Sequence, residues 1–71
     1  MTEEIILGID PGFGRVGYGI IKKDLGLGWK LVATGCIETS AKKSFVARIS
    51  EIHEELEKLI KKYKPTRMAV E

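Results

Sequence analysis

The stretch ILGIDPG, residues 6–12, ends an apolar run on a carboxylate and then turns at once. The residues before Asp10 are rich in β-branched side chains, which is typical of a strand buried on both faces. Asp10 is therefore expected directly after this strand, ahead of a Pro-Gly turn signal. A second acid, Glu71, follows the run RMAV in the same way. The function of the chain depends on whether these two acids meet.

Length and composition indicate one small globular domain. The chain has 71 residues, 44% of them hydrophobic and 31% charged, and a net charge of +2. A disordered, fibrous or disulfide-rich protein would have a different composition. The one cysteine, Cys36, excludes an internal disulfide and is expected to be a small core residue of an intracellular protein. The acidic N-terminus does not resemble a signal peptide, and no apolar run approaches the roughly 20 residues of a membrane span, so we expect a cytoplasmic protein without membrane contacts.

The middle of the chain predicts a β-hairpin followed by a helix. The segments YGIIKKD and WKLVATGCIET are separated by the glycines of LGLG, which favour a turn. From Ser44, the predicted N-cap, the period changes to that of an amphipathic helix. Its apolar positions are Phe45, Ile49, Ile52, Leu56, Leu59 or Ile60, and Tyr63. Pairs of Glu54 with Lys58 and Glu57 with Lys61 support this helix, and Pro65 ends it before the last strand.

The predicted order is therefore β-β-β-α-β, an α/β fold in which the first, third and fourth strands run parallel. Asp10 and Glu71 then both lie at carboxyl ends of strands, at one edge of the sheet. In the strand order 3-2-1-4 they are one strand spacing apart, about 5 Å. In the order 1-2-3-4 they are separated by roughly 14 Å, too far to share one ion. The residues alone leave both orders open.

Two close carboxylates favour a metal site. They repel each other unless a cation neutralises them, and Mg²⁺ is commonly held by one or two carboxylates with waters and phosphate oxygens. Such a site suits phosphoryl chemistry. The alternative is that Asp10 only opens a turn and that Glu71 is an ordinary exposed strand-end acid.

Other candidate motifs are weaker. Gly12, Gly14 and Gly17 fit the G-x-G-x-x-G pattern, with Glu38 at the distance of a ribose-binding acid, but the glycine-rich segment that follows is a poor helix and disfavours a dinucleotide site. Arg15 is a candidate for a phosphate contact, or a solvated loop charge. His53, without a second ligand at metal spacing, is expected at the surface. Trp29 and Tyr18 are expected to pack on the sheet.

The motifs ILGIDPGFGRVGYGII, LVATGCIETSAKKSF and the final RMAVE together resemble the N-terminal part of the RuvC family of Holliday junction resolvases. The resemblance runs along essentially the whole chain. It implies a ribonuclease H-like fold with the order 3-2-1-4, in which Asp10 and Glu71 match the first two of four catalytic acids. It also implies Mg²⁺ or Mn²⁺ as cofactor, four-way junction DNA as substrate, a homodimer, and branch-migration proteins as partners.

The chain departs from the family pattern at two points. Val16 stands where the family often has Thr, so a hydroxyl role there is lost. The segments that follow the second acid in the family, including the last two acids, have no counterpart, so residues 1–71 are expected to be the N-terminal part of a single nuclease domain. We therefore expect no DNA cleavage by this chain alone. Its one helix covers only one face of the sheet, so the other face is expected to drive self-association or loosen the fold.

Three rival interpretations stay open at this stage. An actin-like ATPase fragment also uses a strand-end Asp and a glycine hairpin, for nucleotide phosphates. A YqgF-type nuclease acting on RNA shares the first motif. A non-catalytic structural fragment would need neither Asp10 nor a metal.

Overall fold

The computed structural model describes residues 4–12, 14–24, 26 and 28–71. In this part of the chain the elements follow the predicted order. They are β1 (Ile5–Pro11), β2 (Arg15–Asp24), β3 (Gly28–Glu38), α1 (Phe45–Tyr63) and β4 (Arg67–Val70). The predicted LGLG turn lies only partly within the described residues, and Gly26 and Gly28 there have φ of 88°. This backbone region favours glycine, because glycine has no Cβ.

The four strands form one mixed sheet in the order β3-β2-β1-β4. β2 pairs antiparallel with both β1 and β3, and β4 pairs parallel with β1. This confirms the α/β class, the β-β-β-α-β order and the strand order 3-2-1-4, and it decides between the two orders that the residues left open. The apolar strand β1 is thereby central, with a neighbour on each side.

The helix begins and ends where its capping residues predict. The Ser44 side chain accepts a hydrogen bond from the backbone N–H of Ala47 at 3.2 Å, which confirms Ser44 as the N-cap. At the other end, Lys64 adopts a left-handed conformation with φ 50°, and its N–H donates to the carbonyl of Ile60 at 2.9 Å. A left-handed residue followed by Pro65 ends the helix.

One of the two predicted ion pairs on the helix is confirmed, and in the other the lysine contacts a different glutamate. Lys61 lies 3.7 Å from Glu57, as expected. The ammonium of Lys58, however, contacts Glu55 at 3.2 Å, a spacing of three residues, in place of Glu54. Both spacings bring side chains together on a helix surface, so the choice depends on side-chain rotamers.

The hydrophobic core lies between α1 and one side of the sheet, which we call the helix face. Its buried residues are Leu7, Ile9, Val16, Ile20 and Ile37. Apolar side chains of α1 pack against them, among them Ile52, Leu56, Leu59 and Tyr63. Because side chains alternate along a strand, the residues between these positions lie on the opposite side, which we call the open face.

The predicted apolar positions Phe45 and Ile49 are exposed, at 74% and 51%, so the start of the helix stripe does not reach the core. The expected burial of β1 on both faces and of Cys36 is also wrong for the described chain. β1 is buried on the helix face only, since Ile6, on the open face, is partly exposed. Cys36 is exposed; it follows Gly35 and precedes the buried Ile37, so it lies on the open face. Both errors have one cause, which is that α1 covers a single face of the sheet. In the described residues, no helix is both long and apolar enough to cross a membrane.

Candidate metal centre

The strand order brings Asp10 and Glu71 to neighbouring positions. The parallel ladder between β1 and β4 ends with Ile9 opposite Val70, and each of these residues is followed by one of the two acids. The backbone N–H of Glu71 donates to the carbonyl of Ile9 at 3.1 Å, so the ladder continues to the acid itself. Adjacent strands are about 5 Å apart. The backbones that carry the two carboxylates are therefore separated by one strand spacing.

The two carboxylates also lie on the same face of the sheet. Leu7 and Ile9 point to the helix face, so Asp10 belongs to the open face. Val70 is opposite Ile9 in the ladder, and the next residue, Glu71, is therefore on the open face as well. Both acids are exposed. The two side chains therefore project from the same face at adjacent strand ends.

The other end of the same ladder fixes its register. The N–H of Ile5 donates to the hydroxyl of Thr66 at 3.0 Å, and the N–H of Thr66 donates to the carbonyl of Ile5 at 2.8 Å. These two hydrogen bonds hold the chain as it enters β4. A slip of one residue would move Glu71 to the helix face, because side chains alternate along a strand.

The surface beside the acids is floored by backbone and small side chains. It forms an open depression of about 570 Å³. Its lining residues are Gly8, Ile9, Asp10, Gly17, Tyr18, Gly19, Thr34, Gly35, Ala69, Val70 and Glu71. A Cβ at Gly8 or Gly17 would make only ordinary contacts, and one at Gly19 would meet nothing within 4 Å. Packing within the described chain therefore does not require these glycines, and their effect is to leave space next to the carboxylates.

The depression beside the acids, which is lined by glycines, was not predicted from the sequence. The glycine spacing indicates it, since Gly17 and Gly19 are two residues apart in a strand and so share a face. Gly17 lies directly opposite Asp10 in the β1–β2 ladder, and Gly8 lies opposite Gly19. The three glycines could have been assigned to the face of Asp10 once β1 and β2 were paired.

The donor set fits a magnesium-type ion better than a structural metal. Among the described residues, no group of three or more His, Cys, Asp or Glu side chains is close enough to hold an ion. In the same residues, neither Asp10 nor Glu71 takes part in an ion pair. Two hard oxygen donors without a basic partner suit Mg²⁺, which keeps several waters and shares its shell with phosphate oxygens. Zinc sites, by contrast, use His and Cys in closed sets.

Arg15 lies at the same edge of the sheet and is held by another acid. Its guanidinium contacts Glu38 across the β2–β3 ladder at 3.0 Å, and both side chains are more than half exposed, at 67% and 63%. Arg15 is two residues before Gly17, so it shares the open face with Asp10. Exposed pairs of this kind contribute at most about 1 kcal/mol. The pair therefore leaves the guanidinium available to a stronger anion.

Three of the remaining predictions agree with the structure, and the one for Trp29 does not. The G-x-G-x-x-G segment leads into strand β2, so the helix that a dinucleotide site requires is absent from the described residues there. His53 is exposed and lies 3.7 Å from Glu57. Tyr18 packs against the core and lies over Gly35. The expectation for Trp29 is wrong, since it is 48% exposed on the edge strand and is not among the side chains packed on the core.

Known proteins share both the sequence pattern and this architecture. The family model of the crossover junction endodeoxyribonuclease RuvC matches residues 6–71. The chain is 46% identical over 67 residues to the crossover junction endodeoxyribonuclease RuvC of Petrotoga mobilis, covering 94% of this chain and 40% of that protein. The relative from Brachyspira hyodysenteriae is also 46% identical over 67 residues, with 94% and 41% covered. This chain thus spans about 40% of the length of these curated relatives.

Solved structures agree on the fold. The structure of Thermus thermophilus RuvC in complex with a Holliday junction substrate has a TM-score of 0.83 at 25% identity, covering 94% of this chain and 41% of that one. A Ppx/GppA family protein of Aquifex aeolicus has a TM-score of 0.71 at 22% identity, with 97% and 26% covered, and shows the fold alone. The fold is thus the ribonuclease H-like α/β fold of the RuvC structures. Within that class, the chain belongs to the crossover junction endodeoxyribonuclease RuvC family.

Proposed function

We propose that residues 1–71 are the N-terminal part of a single ribonuclease H-like nuclease domain that cleaves four-way DNA junctions. Asp10 and Glu71 are two of its catalytic acids and bind Mg²⁺ or Mn²⁺. The observation that carries this proposal is the side-by-side position of the two acids, on one face and at adjacent strand ends, in a chain of the RuvC family. An isolated turn acid at position 10 would need no such partner.

The residues present fit the ion by their chemistry. Two exposed carboxylates supply oxygen ligands, and the glycine floor leaves room for waters and a phosphate group beside them. When bound, such an ion supplies charge neutralisation at a phosphodiester and lowers the pKa of a coordinated water. The task of Asp10 and Glu71 is to hold it at the sheet edge. Arg15, on the same face, contacts a DNA phosphate in place of Glu38, because a phosphate accepts two parallel hydrogen bonds from a guanidinium.

The family also supports a wider set of partners. The solved Thermus thermophilus relative is described in complex with a Holliday junction substrate. We extend this to junction DNA as the substrate of the whole protein, which acts as a homodimer in the cytoplasm together with branch-migration proteins. The described residues contain only two acids at the site. The 71-residue chain alone is therefore expected to bind metal but not to cleave DNA.

Metal binding at the two strand ends can be tested by NMR. Mn²⁺ is titrated into the chain and into Asp10→Asn, and line broadening is recorded residue by residue. The chain is prepared with an amidated C-terminus, because the α-carboxylate of Glu71 would otherwise add a third charge to the site. Glu54→Gln, an exposed helix position, is the matched control that removes the same charge.

Binding at the proposed site gives broadening confined to residues around Asp10 and Glu71, which Asp10→Asn moves to a much higher Mn²⁺ concentration and Glu54→Gln leaves unchanged. An ion of charge +2 about 4 Å from one carboxylate gains about 2 kcal/mol from it even at the dielectric constant of water. This corresponds to a loss of affinity of about 30-fold in Asp10→Asn. Broadening that is absent, or that spreads over the acids of α1, would contradict the proposal and leave Asp10 as a turn residue.

A further inference from the structure

Arg48 connects the helix to the edge of the sheet that carries the two acids. It lies on the first turns of α1 and is partly buried. Its Nε donates to the hydroxyl of Thr39, just after β3, at 3.0 Å. Its terminal Nη2 lies over Gly14 in the β1–β2 connection, where a Cβ would come within 2.8 Å of it. One side chain therefore contacts two segments that follow Asp10 and Glu38 in the chain.

The two segments are also joined to each other by their backbones. The N–H of Thr39 donates to the carbonyl of Gly14 at 3.1 Å, which extends the β2–β3 ladder one step beyond Arg15 and Glu38. Gly14 has φ of 78°, a conformation that glycine adopts without strain. The guanidinium thus packs on the last backbone pair of the sheet, from the helix face. The adjoining pair, Arg15 with Glu38, points to the open face.

The contact of Arg48 with Gly14 lies close to Asp10 along the chain. On its strand side, Asp10 is held by ladder pairing with Gly17. Beyond Asp10, the N–H of Arg15 donates to the carbonyl of Gly12 at 3.4 Å. A Cβ at Gly12 would come within 2.7 Å of the carbonyl oxygen of Arg15, so Gly12 packs closely against Arg15. Arg48 packs on Gly14, the residue before Arg15.

We propose that Arg48 is a positioning residue for the metal centre, holding Gly14 and Thr39 together next to Arg15 so that Asp10 and Arg15 keep their direction on the open face. This inference rests on the proposed function, because it concerns the geometry of that site. Arg48 approaches this end of the sheet from the helix face, whereas Asp10 and Glu71 lie on the open face, so we assign it no direct contact with the ion. A side chain that only stabilised the fold would leave the metal affinity of the folded protein unchanged.

The positive charge of Arg48 allows its electrostatic effect on metal binding to be distinguished from a positioning effect. Removing a positive charge near a cation site strengthens cation binding by Coulomb attraction alone. Loss of positioning weakens binding, because the carboxylate no longer keeps a fixed direction. The two effects have opposite signs, so weaker binding in Arg48→Ala cannot result from its charge.

The experiment measures the Mn²⁺ dissociation constant of the amidated chain by NMR line broadening, for the unmodified sequence and three variants. Arg48→Ala removes the hydrogen bond to Thr39 and the contact with Gly14. Thr39→Val removes the hydroxyl that accepts the hydrogen bond and keeps its volume. Arg67→Ala is the matched control, because Arg67 pairs with Glu4 at 3.1 Å at the opposite end of the sheet and carries the same charge. Each titration uses conditions in which amide dispersion shows the variant to be folded.

We expect Arg48→Ala to weaken Mn²⁺ binding about five- to tenfold, which is less than the loss of a direct hydrogen-bond partner of a metal ligand costs, because Arg48 acts through neighbouring residues. Thr39→Val weakens it about threefold, as expected for one lost hydrogen bond. Arg67→Ala leaves it unchanged or slightly tighter. If Arg48→Ala fails to fold, the dissociation constants of Thr39→Val and Arg67→Ala are compared instead. Weaker binding in Thr39→Val alone supports the positioning role, and equal binding refutes it.

Two outcomes are distinguishable from each other. If the unmodified chain binds Mn²⁺ at Asp10 and both Arg48→Ala and Thr39→Val bind it as tightly, the positioning role is refuted and the proposed function stands. If the unmodified chain binds no Mn²⁺ at the strand ends, the proposed function fails first, and the role assigned to Arg48 fails with it.

Discussion

Shortening Ile20 to valine will destabilise the fold at least twice as much as the same change at its neighbour Ile21. The two residues are adjacent in β2 and identical in chemistry, but they lie on opposite faces of the sheet. Ile20 is fully buried under α1, with 0% of its surface exposed. Ile21 is on the open face and only partly buried. The pair therefore measures how much of the core belongs to the helix face.

The expected loss of unfolding free energy follows from the removal of one methylene group. Its removal from a fully buried site costs about 0.8 kcal/mol of transfer free energy. The cavity left under the helix adds to this, giving about 1 kcal/mol for Ile20→Val, within the usual range for this change. At Ile21 water fills the space, so no cavity term arises and we expect about 0.5 kcal/mol or less. Alanine is avoided, because a loss of about 2–5 kcal/mol is comparable with the whole stability of so short a chain.

The assay is urea unfolding followed by circular dichroism, at a protein concentration where sedimentation equilibrium shows a monomer. Under those conditions the midpoint shift, multiplied by a common slope, gives the change in the free energy of unfolding. Equal losses at the two positions in the monomer would refute the one-sided core. The same measurement at higher concentration tests self-association, since a second copy on the open face would raise the cost at Ile21 and leave that at Ile20 unchanged.

Two further substitutions test local packing and capping. Gly35→Ala is expected to destabilise the fold by about 1–3 kcal/mol, because the new Cβ would come within 2.5 Å of the Tyr18 hydroxyl and 2.8 Å of its ring. In Gly19→Ala the new Cβ meets nothing within 4 Å, so this change should alter stability by less than about 0.5 kcal/mol. Urea midpoints of the two variants check this, and equal values would contradict the packing of Tyr18 on Gly35. Ser44→Ala should cost about 1 kcal/mol through loss of the hydrogen bond to Ala47, while Ser50→Ala, at an exposed mid-helix position, should be neutral or slightly stabilising. Thermal unfolding by circular dichroism measures both, and a neutral result at Ser44 would show that its hydroxyl does not cap α1.

Much of the secondary structure could be predicted from local sequence. The change of hydrophobic period at Ser44 and the stop at Pro65 define the helix, because capping and backbone restriction are properties of neighbouring residues. The position of Asp10 at the end of β1 is local in the same sense. The partner of Lys58 was not predictable, since two spacings are compatible with a helix surface. The exposure of Cys36 was missed because it depends on which face the helix covers.

The sequence by itself determined the elements, their order and the placement of one acid at the end of each of two strands. Only the tertiary structure decided that these acids are neighbours, because that requires β4 to pair with β1 across the length of the chain. Two physical reasons favour this pairing. β1 is the most continuously apolar strand and buries more apolar surface in a central position. β3 carries a register shift opposite Ile20 and Ile21, which makes it a poor edge for pairing with another strand. The contacts of Arg48 with Gly14 and Thr39 are of the same kind. They join segments that local propensity treats separately, and they exist only once the sheet has formed.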